Sequence, residues 1–227
     1  MSCKVIAIDG PAASGKSTVG RKLSEWLGYL YFDTGVMYRA VTLAALKRNI
    51  DIRDEDAITQ LSQSVRIDVT LPAIENGRSY EVLLDGEIVT HEIHQPEVDE
   101  EVSIVSDYPG VRQALTVQQR RIGSKGRVVM LGRDIGTVVL PEADLKIYLD
   151  ASVRERARRR YQEYINQGET ALLDEIEASM RNRDRIDSTR DIAPLRPADD
   201  AIIIDTDELT IDEVLSQLKD LVETACE

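Results

Sequence analysis

Gly10-Pro11-Ala12-Ala13-Ser14-Gly15-Lys16-Ser17 meets every position of the G-x-x-x-x-G-K-[ST] phosphate-binding loop. Small residues let successive backbone N–H groups converge on a β-phosphate, and the helix N-terminus that follows adds partial positive charge. Lys16 is placed to reach the β- and γ-phosphates, and Ser17 to offer its hydroxyl to a Mg2+ bridging the same oxygens. With Thr18 the nucleotide-binding run extends from Gly10 to residue 18. An ordinary glycine-rich turn makes no demand for Lys and Ser at these offsets. The loop fixes a ligand class, a nucleoside triphosphate with magnesium, and leaves the reaction open.

Positive charge is otherwise scarce. The 227 residues carry 28 Lys plus Arg against 41 Asp plus Glu, a net charge of -13. That balance argues against a nucleic-acid surface and requires phosphate-binding charge to be local. Ten arginines and no lysine lie between Arg154 and Arg196. The guanidinium fork suits phosphate oxygens, whereas pairing with the interspersed acids would make a solvated helix face. Both are expected, for different members of the cluster. Cys3 and Cys226 stand at opposite ends in no metal or redox spacing, so no disulfide framework is expected. His91 and His94 lack a Cys or HExxH partner and read as surface polar residues rather than a metal pair. No apolar run approaches about 18 residues, and the N-terminus enters a strand almost at once, so a soluble cytoplasmic protein without membrane contact is expected.

The elements that must position these residues alternate. Val5-Ile6-Ala7-Ile8 is a buried-strand run, and Val19, Leu23, Trp26 and Leu27 share one face of the helix after the loop. Tyr29 to Asp33 predicts a second strand, and a helical pattern through Met37, Val41, Leu43, Ala44 and Leu46 closes near Asn49. Strand–helix alternation implies a parallel sheet with right-handed crossovers. Residues 65–90 break it: Val65, Ile67, Val69 and Leu71 alternate with polar residues, and Asn76-Gly77 and Asp85-Gly86 are hairpin signals. Helices are predicted over 96–106 and 110–122, and core strands at 127–131 and 145–149. Ser152 with Glu155, and Thr210 with Glu213, are capping-box pairs opening helices, and Ala201 to Ile204 predicts a fifth buried strand. The fold class is α/β: a five-stranded parallel sheet flanked by helices, with a small antiparallel β insertion.

Other residues narrow the reaction. No Asn-Lys-x-Asp base-reading segment and no apolar run ending in Asp-Glu is present, which disfavours a GTPase switch or a motor ATPase. Asp33-Thr34-Gly35 followed by Arg39 resembles the D-[ST]-G-x-x-x-R segment of nucleoside monophosphate kinases. Gly132-Arg133-Asp134-Ile135-Gly136-Thr137, the Asp184, Asp187 and Arg190 series, and Ala193-Pro194-Leu195 are similar to the bacterial cytidylate kinase family. The resemblance runs from Val5 to the last helix and includes the antiparallel insert.

That resemblance implies a P-loop kinase fold and transfer of phosphate from ATP, with Mg2+, to CMP and dCMP. By it, Lys16, Arg133 and Arg183 serve catalysis, and Thr34, Arg39, Arg133 and Arg183 hold the acceptor phosphate. Ser103, Arg112 and Asp134 match base-contacting positions, Asp187 the position binding a ribose hydroxyl, and Arg190 a further binding-site arginine. A single kinase domain over 1–227 is implied, with an acceptor-binding lobe at 35–112 and an arginine-rich lid with flanking helices at 153–190, in which Arg159 is the candidate functional arginine. Cytosine presents an amine beside two acceptors, so Asp134 can accept from the amine while Arg112 donates to N3 or O2. Uracil would face that pair with mismatched groups. Thr34 stands where Ser is commoner, and Leu131 where many relatives have an acid before Gly-Arg-Asp, leaving the metal to Ser17 and the nucleotide, with Asp33 as a bonder of outer-shell water. A monomer is expected. The rivals are another small P-loop kinase, for UMP, AMP, shikimate or dephospho-CoA, and a regulatory module that holds ATP without transferring it.

Overall fold

The computed structural model describes residues 3–72 and 79–225. The predicted Asn76-Gly77 turn and Cys226 lie outside them. The chain divides into two compact units, one made of residues 1–27 and 129–227 and the other of residues 28–128.

The larger sheet contains β1 (Val5–Asp9), β2 (Leu30–Asp33), β6 (Val128–Gly132), β7 (Leu145–Asp150) and β8 (Ile202–Asp205). Its strand order is β2-β6-β1-β7-β8. β1 pairs with β7 in parallel, Ile6 opposite Leu145 and Ile8 opposite Ile147. The apolar run of β1 is there because that strand is central: Ile6, Ala7 and Ile8 are fully buried. β8 corrects the sequence reading. It is an edge strand paired only with β7, and Ile202 and Ile203 are 39% and 59% exposed while Ile204 is buried. A short apolar run has the same periodicity at an edge as at a centre.

Helix α1 (Lys16–Leu27) follows the phosphate loop and buries Val19, Gly20 and Leu23. Trp26, expected on the same apolar face, is 43% exposed, and the Lys219 ammonium of α8 (Ile211–Ala225) stands 5.2 Å from its ring centre. Leu131 is 1% exposed and packs on Gly20, where a Cβ would come within 2.7 Å of Leu131 Cδ2. Leu131 is thus part of the core. Gly20→Ala pits a helix-propensity gain of about 1 kcal/mol against overpacking of about 1–3 kcal/mol. Net destabilisation is expected in a urea melt, and a gain would show that Leu131 can yield.

Helices α6 (Val153–Asn166) and α7 (Leu173–Thr189) belong to the same unit. Ser152 accepts from the Glu155 N–H at 3.2 Å, as a capping pair should. The reciprocal bond is missing because Arg158 and Arg159 engage the Glu155 carboxylate, and the Ser152 N–H donates to Asp207 instead. At α8 the box is complete: the Thr210 N–H donates to Glu213 at 2.8 Å and the Glu213 N–H to Thr210 Oγ1 at 3.3 Å. Cys3 is disulfide-bonded, which the sequence reading did not expect.

The 28–128 unit holds α2 (Gly35–Lys47), α3 (Glu55–Ser64), β3 (Ile67–Thr70), β4 (Glu81–Leu84), β5 (Glu87–Ile88), α4 (Pro96–Asp107) and α5 (Pro109–Gly123). α3 has no counterpart in the sequence reading, since EDAITQLSQS offers only Ile58 and Leu61 as large buried residues; Asp54 caps it by accepting from the Ala57 N–H. β3, β4 and β5 form the expected antiparallel sheet, Ile67 opposite Leu84 and Val69 opposite Val82. Asp85 and Gly86, with φ of 51° and 91°, make the β4–β5 turn left-handed at both central positions, as Asp-Gly favours. Among the described residues no helix is long and apolar enough to cross a membrane.

Candidate active site

The phosphate loop joins β1 to α1. Gly10 has φ of 149°, and a Cβ there would lie 2.1 Å from the Leu149 carbonyl oxygen, so backbone passes backbone at a distance only glycine permits. Ser14 is buried, and its carbonyl accepts from Thr206 Oγ1 at 3.4 Å. Lys16 is 7% exposed and curls over the loop, donating from Nζ to the Pro11 carbonyl at 2.6 Å and to Ser14 Oγ at 3.3 Å. These oxygens hold the ammonium where phosphate oxygens would compete for it. Ser17 is exposed at the head of α1.

In the same unit the structure brings Arg133, Arg183, Asp187 and Arg190 together. Asp187 accepts from Arg133 Nε at 3.1 Å and from Arg190 at 3.3 Å, while Arg190 Nε donates to the Ala193 carbonyl at 2.6 Å. The Asp187 carbonyl accepts from the Leu195 N–H at 2.7 Å, which fixes Ala193-Pro194-Leu195 against the end of α7. Arg183 keeps solvent contact, yet desolvation and then the positive charge of Arg133 lower its pKa, and Asp187 offsets this only in part. Three guanidinium groups around the Asp187 carboxylate, two of them bonded to it, leave positive charge for an anion to neutralise.

Asp134 is 7% exposed, and Asp9, at the end of β1, is 4% exposed beside it. Asp9 accepts from the Ile135 N–H at 2.8 Å and the Gly136 N–H at 2.7 Å, in the wide helical turn Ile135–Val139. Burial pushes its carboxyl up to about 6 against these two donors; the Asp134 charge adds to the rise and Lys16 opposes it. The sequence reading passed over Asp9. The available signal was an acid closing an apolar strand immediately before the loop.

The arginines of α6 differ in burial, and the most enclosed is Arg156, which the sequence reading did not single out. Arg156 is 2% exposed, donates to the Ala151 carbonyl at 2.9 Å and to the Ala12 carbonyl at 3.3 Å, and pairs with Asp184. It ties α7 to the phosphate loop. Arg159 donates to Glu155 and to Thr206 Oγ1 at 3.1 Å, and its guanidinium lies 4.0 Å from where a Gly15 Cβ would stand. Arg158 and Arg160 pair with Glu155 and Glu163 on the solvated face.

In the 28–128 unit, Thr34 is buried at the head of α2, where Asp33 accepts from the Gly35 N–H at 3.0 Å. Arg39, on α2, donates to the Ile93 carbonyl at 3.1 Å and pairs with Asp99. Arg112, on α5, is 7% exposed, donates to the Ser106 carbonyl at 3.2 Å and sits 5.6 Å from the centre of the Tyr38 ring. Ser103 is exposed on α4, and its carbonyl accepts from Ser106 Oγ at 2.9 Å. His94 lies 3.4 Å from the Tyr80 hydroxyl, and burial lowers its pKa. Among the described residues no group of three His, Cys, Asp or Glu could hold a metal ion. A Mg2+ that takes most of its ligands from nucleotide phosphates and water needs no such group, and the exposed Ser17 hydroxyl fits that donor set.

A parallel sheet with a complete phosphate loop between its first strand and helix defines a P-loop nucleotide-binding fold, and the structure of a shikimate kinase from Bacteroides thetaiotaomicron shares the fold, with a TM-score of 0.50 at 13% identity over 96% of this chain and 97% of that one. The family model for cytidylate kinase matches residues 6–224. The chain is 53% identical over 207 residues to a cytidylate kinase of Chloroflexus aggregans, covering 91% of this chain and 88% of that protein. It is 48% identical over 218 residues to one of Bacillus velezensis, covering 96% of each. This chain belongs to the cytidylate kinase family.

Proposed function

We propose that this chain transfers the γ-phosphoryl group of ATP to the 5′-phosphate of CMP, and of dCMP, by direct in-line displacement. A phosphate oxygen of the acceptor forms the new P–O bond as the bond to ADP breaks, giving ADP and the cytidine diphosphate. The observation that carries this reading is the family match across residues 6–224, with the phosphate loop intact within it.

In this reading the loop amides and Lys16 hold the β- and γ-phosphates, and Ser17 holds Mg2+. The ion, when bound, neutralises charge on the phosphoryl oxygens. Arg133 and Arg183, with Thr34 and Arg39, neutralise the acceptor phosphate and aim its oxygen. No strong general base is required, because the acceptor oxygen is already ionised. Ser103, Arg112 and Asp134 read the base, Asp187 takes a ribose hydroxyl, and Arg190 supports Asp187. Residues 35–112 are the acceptor lobe and 153–190 the lid. Asp99 and Asp187 now occupy Arg39 and Arg133, and a dianionic phosphate outcompetes a single carboxylate for each.

An ADP-release assay with ATP, Mg2+ and a panel of CMP, dCMP, UMP, AMP and shikimate tests the reaction. Turnover confined to CMP and dCMP is expected, and turnover led by another acceptor would overturn the base assignment. Silence across the panel would favour a module that only holds ATP. Asp134→Asn tests the base reader: CMP turnover is expected to fall about 100-fold and the CMP/UMP ratio with it, since a buried carboxylate that accepts from the cytosine amine is replaced by a group that also donates. An unchanged ratio would remove Asp134 from that role.

The reading includes a monomer in the cytosol. Thiol alkylation in freshly lysed cells decides this, a fully alkylated chain supporting the cytosol, and sedimentation of the purified chain tests the monomer.

A further inference from the structure

Asp9 spends both carboxylate oxygens on backbone far away in sequence. Oδ1 accepts from the Ile135 N–H at 2.8 Å and Oδ2 from the Gly136 N–H at 2.7 Å, across separations of 126 and 127 residues. The group is buried, so neither bond is shared with bulk water. The gripped turn is closed from the other side by Lys146 of β7. A Cβ on Gly136 would stand 3.2 Å from Lys146 Cδ and 3.4 Å from Asp9 Oδ2, so the glycine is held between the lysine stem and the carboxylate. Lys146 is itself fixed, its ammonium donating to both Asp200 oxygens at 2.9 and 2.8 Å. Immediately before the gripped amides stand Arg133 and Asp134.

We propose that Asp9 is a positioning residue for the transfer reaction, which by gripping the Ile135 and Gly136 amides sets the orientation of Arg133 and Asp134. This rests on the acceptor-binding reading of those two residues given above. An aliphatic residue would fill the space equally well but would leave two buried N–H groups without acceptors. A carboxylate is the one small side chain that accepts at both ends. The charged and titratable groups facing it are Lys16 of α1, Asp134, and from β7 Lys146 through its stem and Tyr148, which lies opposite Asp9 in register.

The cost of burying this charge gives a pH signature. The folded chain holds the Asp9 proton up to about 6, against 3.8 for an ordinary aspartate. Between these values the unfolded chain has released a proton that the folded chain retains, so the Asp9 contribution to stability falls as pH rises through the window. As pH falls through about 6 the folded carboxyl takes up its proton, the protonated oxygen becomes a poor acceptor, and one amide of the grip is weakened.

The test is Asp9→Asn, which keeps the shape and one acceptor. Binding of a non-hydrolysable ATP analogue is expected to stay within about threefold, while kcat/KM for CMP falls about 100-fold, the scale of a misplacement of about 1 Å at a reacting centre. Hydrogen exchange at the Ile135 and Gly136 amides should quicken about tenfold. The amide shifts of both residues should titrate near pH 6 in the substrate-free protein and not in the variant, and the variant should gain in relative Tm as pH rises from 4 to 7. CMP turnover within threefold of the parent, with both amides still protected, would overturn the proposal. Loss of ATP-analogue binding in step with CMP turnover would also overturn it, by making Asp9 a support of the phosphate loop. If the parent does not phosphorylate CMP, the functional reading fails, whereas exchange and shifts still decide whether the grip exists. Gly136→Ala crowds the same contact with Asp9 intact, so it should reproduce the CMP defect should the Asn variant not fold, and an undiminished turnover would count against the grip.

Discussion

Lys16→Met is expected to lower kcat by about 1,000-fold or more with little change in thermal stability. The ammonium is buried and donates to two loop oxygens, the Pro11 carbonyl and Ser14 Oγ. Both can remain within the loop when the charge is gone, and the methionine stem follows the same path. What is lost is a fixed positive charge where negative charge shifts during transfer, and removal of one preorganised donor of this kind costs about 100- to 1,000-fold in other enzymes. A full cation acting on two phosphates belongs at the upper end of that range or beyond. Single-turnover measurements at saturating ATP and CMP separate the rate of transfer from nucleotide binding. A transfer rate within tenfold of the parent would remove Lys16 from the reaction.

Arg183→Met is expected to separate activity from stability in the opposite sense. Arg183 is crowded by surrounding atoms and by the like charge of Arg133, and both lower its pKa. Removing it relieves repulsion while the Arg133 bond to Asp187 at 3.1 Å stays in place. The substrate-free chain should therefore melt at the same temperature or slightly higher. If Arg183 holds the acceptor phosphate as proposed, turnover should fall about 100- to 1,000-fold. Adding CMP should protect the parent against heat and protect the variant much less. Loss of stability with activity retained would make Arg183 an ordinary helix-face arginine.

Much of the fold is legible because its signals are local. The phosphate loop with its flanking strand and helix, the Asp85-Gly86 turn with both φ values positive and the Thr210 and Glu213 box each depend on residues within a few positions of one another. Other expectations failed where the outcome depends on neighbours distant in sequence. Ile202 and Ile203 read as core, but β8 has a partner on one side only. Glu155 has the right spacing to close a capping box, yet two arginines one turn on compete for its carboxylate. Arg156 is indistinguishable from its neighbours in sequence, and only the fold buries it against Ala12 and Asp184.

The sequence by itself determined the chemistry. Gly10 to Ser17 specify a nucleotide phosphate through residue type and short spacing, and family membership over residues 6–224 agrees with a kinase. Tertiary structure alone decided how those groups are held in readiness. It gave Asp9 the backbone amides of Ile135 and Gly136, Arg133 the carboxylate of Asp187, and Arg39 that of Asp99. The physical reason is that a motif records which atoms can meet a phosphate, whereas burial, charge pairing and the direction of a side chain are set by segments the chain brings together only on folding.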